Sequence, residues 1–134
     1  MNIIPAYLYH VSCADNHNSI MKFGLVPGVY TGFEETPSEY VYLGIHRPDK
    51  KFKDHILRNN IVEEYLLLRS AEYDTCPKFN LYKVKAEGLD FSLFSKTNDY
   101  REIRYSGIIP PENIKFMWEY NTRELNEIFQ SLNI

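Results

Sequence analysis

With 134 residues, a formal net charge of -3, 44% hydrophobic and 15% aromatic residues, the chain fits one domain over residues 1–134 and is too apolar to be disordered. Its slight acidity excludes a global basic field for capturing nucleic acid and leaves only a local basic seed at His46-Arg47 and Lys50-Lys51-Phe52-Lys53. No apolar run approaches the roughly 20 residues of a membrane span, and Met1-Asn2-Ile3-Ile4-Pro5 lacks a signal-peptide pattern, so a cytoplasmic protein with no membrane partner is expected.

In chain order, Tyr7 to Val11 reads as a short strand of aromatic and β-branched residues. Asp15 to Phe23 follows as a helix with Ile20 and Phe23 on its apolar edge, and Gly24 stands where a left-handed cap falls. Cys13 at this junction and the distant Cys76 do not make a disulfide framework, and reduced thiols are expected. Val26 to Pro37 is punctuated by Pro and Gly and reads as a loop. Tyr40 to Leu43 is a second strand, and Lys50 to Arg58 has weak helical character. Ile61 to Arg69 fits a buried strand or a short helix equally well.

Tyr82, Val84 and Ala86 alternate with Lys83 and Lys85, the pattern of a half-buried strand. Glu87-Gly88 is a turn and Tyr100 to Tyr105 another strand. Ile114, Phe116, Trp118 and Tyr120 alternate with polar or flexible neighbours in a further strand, and Asn121 with Glu124 forms a capping box for a last helix. The fold class predicted is α+β, with several short strands and about three helices.

Three of these strands carry chemistry: His10 in the first, Tyr42 in the second and Glu102 in Arg101-Glu102-Ile103-Arg104-Tyr105. Period-two alternation puts Tyr100, Glu102 and Arg104 on one face and Arg101, Ile103 and Tyr105 on the other. If Ile103 enters a core, Glu102 faces a cleft. An imidazole, a phenol and a carboxylate brought into one cleft can hold a nicotinamide riboside and ease cleavage of its glycosidic bond. His10, Cys13 and His17 are also spaced like metal ligands, but no fourth ligand stands nearby, so no metal is assigned. Cys13 beside His10 or His17 is a nucleophile pair with nothing to orient it.

Leu8-Tyr9-His10-Val11-Ser12, the helix ending in Phe23-Gly24-Leu25, Tyr40-Val41-Tyr42-Leu43, and Arg101-Glu102-Ile103 running on to Ile109-Pro110-Pro111-Glu112-Asn113-Ile114 together resemble the ADP-ribosyltransferase fold family. The order of the pieces resembles its His-Tyr-Glu class, which includes diphtheria toxin and the poly-ADP-ribose polymerases. The resemblance implies split antiparallel sheets with about three flanking helices. It implies NAD as donor and transfer of ADP-ribose to a protein, DNA or RNA acceptor that the sequence does not name. It implies Glu102, His10 and Tyr42 as catalytic residues, and His10, Val11, Ser12, Tyr42, Phe52 and His55 around the dinucleotide. Val11 stands where the family usually has glycine, and the second stacking tyrosine is missing, with Phe52 or His55 as substitutes. Arg47 and Lys22 are the candidate phosphate ligands.

Two alternatives share this core: an RNA 2'-phosphotransferase-like enzyme and a non-catalytic module that binds NAD or ADP-ribose. A freestanding intracellular transferase of this size suggests a toxin, an antiphage factor or a phage effector, with a neutralising partner if it is a toxin.

Overall fold

The computed structural model describes residues 4–27, 39–45, 78–98, 100 and 102–121. They form an α+β arrangement of one six-stranded antiparallel sheet and one α-helix. The strands are β1 (Tyr7–Cys13), β2 (Val41–Gly44), β3 (Lys78–Lys85), β4 (Phe94–Lys96), β5 (Glu102–Tyr105) and β6 (Ile114–Asn121). Across the sheet they run β4-β5-β2-β1-β3-β6. The helix, α1, is His17–Phe23, entered through one 3-10 turn at Ala14–Asn16.

The sheet is continuous rather than split, because Tyr9 pairs with Gly44 and joins β1 to β2. That junction is thin. β1 and β3 are in register from Tyr7↔Lys85 to Cys13↔Phe79, whereas Tyr9↔Gly44 is the one register pair between β1 and β2 among the described residues. Among the described residues there is one α-helix, against the expectation of about three in the chain. The helices expected at Lys50–Arg58 and after Asn121 lie outside the described residues, as does Ile61 to Arg69; Asn121 itself ends β6. Among the described residues, no helix is long and apolar enough to cross a membrane.

One face of the sheet makes the core. Register places Leu8, Val41, Leu43, Val84, Tyr82, Ile103, Tyr105 and Ile114 together, and Ile20, Leu25 and Ile109 close over them. The alternation read from β3 and β5 holds: Tyr82, Val84 and Ile103 are buried, and Lys83 and Arg104 face the other way. In β6 it fails. The register shifts between Leu81 and Tyr82, and Phe116, opposite the buried Tyr82, is itself exposed.

The residues after α1 explain its stop. Gly24 has φ +86°, a conformation side chains rarely adopt, and a Cβ there would stand 2.1 Å from the Ile109 carbonyl oxygen. Its N–H closes on the Ile20 carbonyl at 2.8 Å. Leu25 and Ile109 then exchange two backbone hydrogen bonds of 2.9 Å each. The turn after the helix is thereby tied to the segment that leads into Pro110-Pro111, and Ile109 is fully buried.

Cys13 corrects an expectation. It is buried at the end of β1 and disulfide-bonded, not a reduced thiol. Separation along the chain says nothing about which thiols folding brings together.

Candidate functional site

The three strands with candidate catalytic groups are neighbours in space. β5 carries Glu102, β2 carries Tyr42 and β1 carries His10, and the sheet order places them side by side. Register gives the detail. Tyr42 pairs with Arg104 and Gly44 with Glu102. Tyr42 and Glu102 are therefore diagonal neighbours on one face, with a Cα spacing of about 7–8 Å. Both side chains are half-buried. Directly across from the carboxylate stands a glycine, so β2 puts no side chain against it.

Arg104 shares that face but is aimed away along the sheet. Its guanidinium carbon lies 4.0 Å from the centre of the Tyr40 ring, and its Nε donates to Ser95 Oγ at 2.8 Å. Tyr40 meets Tyr42 edge to face at 6.3 Å. A cation, two phenol rings and a carboxylate thus line one stretch of the sheet over β5 and β2.

His10 lies on the other face. Tyr9 pairs with Gly44, so Tyr9 and Val11 share the face of Tyr42 and Glu102, while His10 and Ser12 alternate onto the core side. His10 pairs with Tyr82 across β3 and is 7% exposed. Its Nδ1 donates to the Tyr42 carbonyl at 2.9 Å, since a carbonyl can only accept. The imidazole thereby bridges β1 and β2 where their register pairing has ended. Burial holds its pKa below the ordinary histidine value, partly opposed by this bond to Tyr42. The ring is thus neutral near pH 7, and its Nε2 is an acceptor, buried with no hydrogen-bond partner among the described residues.

A polar cluster that the sequence did not reveal surrounds this ring's neighbours. Ser12 Oγ accepts from Asn16 Nδ2 at 3.0 Å. Asn80, paired with Ser12 across β3, donates to the Tyr82 hydroxyl at 3.1 Å, and that hydroxyl reaches His17 Nδ1 at 3.0 Å. The Tyr82 ring also stacks on His17 at 6.0 Å. Asn80 Oδ1 is buried without a partner among the described residues. Tyr82 showed only a strand period, Asn80 lay outside the run read as a strand, and nothing in that period says which strand stands opposite.

Of the other candidates, Val11 is buried on the face of Tyr42, and Lys22 lies 5.1 Å over the Phe23 ring at the end of α1. Phe52, His55 and Arg47 lie outside the described residues. The zinc and nucleophile readings lose their sulfur, because the Cys13 thiolate they need is tied up in a disulfide. No protein-family model matches the chain, and no curated protein matches it.

Proposed function

We propose that this chain is an ADP-ribosyltransferase of the His-Tyr-Glu kind, which cleaves NAD at the nicotinamide glycosidic bond. The observation that carries the reading is the diagonal placement of Tyr42 and Glu102 on one face, on adjacent strands far apart in sequence. The nicotinamide ring stacks on the Tyr42 phenol, which offers a flat contact at low entropic cost. Glu102 faces the anomeric carbon. As the bond from that carbon to the ring nitrogen breaks, its electron pair leaves with neutral nicotinamide, and the sugar gains oxocarbenium character. The carboxylate stabilises that charge where it develops. The acceptor's nucleophile bonds to the anomeric carbon and gives up its proton, with Glu102 as the nearby base.

His10 acts through β2. By holding the Tyr42 carbonyl it fixes the strand on which the stacking phenol rides, so in this reading it is a positioning residue. Ser12 shares its face and contributes to the polar cluster rather than to the donor. The sheet order β5-β2-β1 supports an ADP-ribosyltransferase-like fold, because it sets the three motif strands next to one another.

The test is incubation with NAD labelled in the adenylate and, separately, in nicotinamide, with cell extract as acceptor. The reading expects nicotinamide release together with label in protein or nucleic acid, both lost in Glu102→Gln. A second reading, a non-catalytic NAD- or ADP-ribose-binding module, is favoured by one observation: His10 faces away from Tyr42 and Glu102. It expects saturable NAD binding and no nicotinamide release.

A further inference from the structure

Register sets Lys83 of β3 directly opposite Lys115 of β6. Like charges in such a pair, with Cβ atoms about 5 Å apart, repel and cost stability. Among the described residues, ion pairs join Lys78 to Glu119 and Lys85 to Glu87, and neither involves Lys83 or Lys115. The Lys83 ammonium instead sits 4.0 Å over the Tyr7 ring, which is 44% exposed. Lys85 stands opposite Tyr7 on the same face, and its contact with Glu87 is long, 3.8 Å, and well exposed. Three ammonium groups and an exposed aromatic ring thus gather on one face of a chain whose net charge is -3.

We propose that this patch binds the backbone of a single-stranded nucleic acid. A phosphate seated between Lys83 and Lys115 removes their repulsion, and an unpaired base adds its flat face to Tyr7. An acidic peptide would satisfy the lysines but leave the ring unused, and a duplex offers no free base face. The inference rests on the proposed transferase reading only in that it names the acceptor class. Glu102, Gly44, Tyr9, Lys83 and Lys115 follow one another across β5, β2, β1, β3 and β6, all on one face. Three strand spacings of about 4.8 Å put Lys83 roughly 14 Å from Glu102. Tyr9 and Gly44 between them are buried, so the strand is anchored beside the carboxylate rather than laid across that strip.

The experiment is fluorescence anisotropy of labelled single-stranded DNA and RNA oligonucleotides with the full chain, without NAD, over a salt series. The wild type is expected to bind, with affinity falling as salt rises. The double substitution Lys83→Gln with Lys115→Gln is expected to lose tenfold or more in affinity and to flatten the salt slope by about 1.4, the value for two phosphate contacts on a single strand. Tyr7→Ala is expected to weaken binding about fivefold or more. Lys78→Gln, on the opposite face, serves as the control and is expected to change nothing. The double variant also loses a like-charge pair, so its denaturation midpoint is expected to match or exceed the wild type's.

No binding by a folded wild type, or unchanged binding by the double variant, overturns the proposal. So does equal affinity for duplex, or displacement of the oligonucleotide by millimolar inorganic phosphate with no effect of Tyr7→Ala, since either marks a plain anion site. Oligonucleotide binding without NAD cleavage would leave this inference standing and remove the transferase reading. NAD cleavage without oligonucleotide binding would do the reverse.

Discussion

His10 Nδ1 donates to the backbone carbonyl of Tyr42 across 2.9 Å, joining two strands 32 residues apart in the chain. The bond lies beyond Tyr9↔Gly44, the one register pair between those strands among the described residues. The ring therefore takes over from the backbone ladder in holding β2 against β1. A buried hydrogen bond of this kind contributes about 1 kcal/mol, and a carbonyl left without its partner costs more. His10→Ala removes the donor and opens a void, and is expected to destabilise the fold by about 2–4 kcal/mol in urea denaturation. His10→Asn restores a donor near the Nδ1 position and is expected to recover part of that loss.

The same residue makes stability depend on pH. Burial lowers the folded pKa of His10 below its ordinary 6.5, so the unfolded chain takes up this proton first. The contribution is complete above pH 6.5 and is lost as pH falls below it towards the folded value. The urea midpoint is expected to drop between pH 7 and pH 5.5, before most carboxylates titrate, and the drop is expected to shrink in His10→Asn.

Gly24 is the backbone position with least tolerance. At φ +86°, and with a Cβ due 2.1 Å from the Ile109 carbonyl oxygen, Gly24→Ala is expected to cost at least about 1–3 kcal/mol from conformation alone. Loss of the reciprocal Leu25–Ile109 hydrogen bonds would add to that. Thermal denaturation of the variant checks it. Gly88, whose φ is also positive but whose Cβ would meet nothing, is expected to lose only the conformational part on the same substitution.

In the core, Leu43 is 1% exposed and lies between Val41 and Gly44 on the strand that carries Tyr42. Leu43→Ala is expected to cost about 2–5 kcal/mol, by chemical denaturation. At the end of β1, Cys13 is expected to resist thiol labelling in the folded, unreduced protein and to react after reduction and unfolding. Labelling of Cys13 without reduction would contradict the disulfide.

Local pattern made much of this fold legible. The period-two runs at Tyr82–Ala86 and at Ile103 and Tyr105 reported which residues enter the core, because a half-buried strand writes its buried face into alternate positions. Gly24 announced the end of α1 for a similarly local reason. The pairing of strands was not local. That β5 lies against β2, and β2 against β1, follows from contacts spread over the whole chain. The adjacency of Glu102 and Tyr42 therefore entered only through resemblance, and register then separated His10 from them by one residue of alternation. The β6 bulge broke a run that looked regular, and Asn80 joined a polar cluster that no spacing in the sequence marks. The continuous sheet, in place of split sheets, follows from Tyr9 meeting Gly44.

The measurement that bears most directly on the central claim is nicotinamide release from NAD by the wild type and by Glu102→Gln, each with its NAD affinity determined on the same preparation. Release by the wild type is expected, with a loss of a hundredfold or more in the variant while NAD still binds and the denaturation midpoint is unchanged. Equal release by the two proteins would contradict it, as would a folded wild type that binds NAD and never releases nicotinamide.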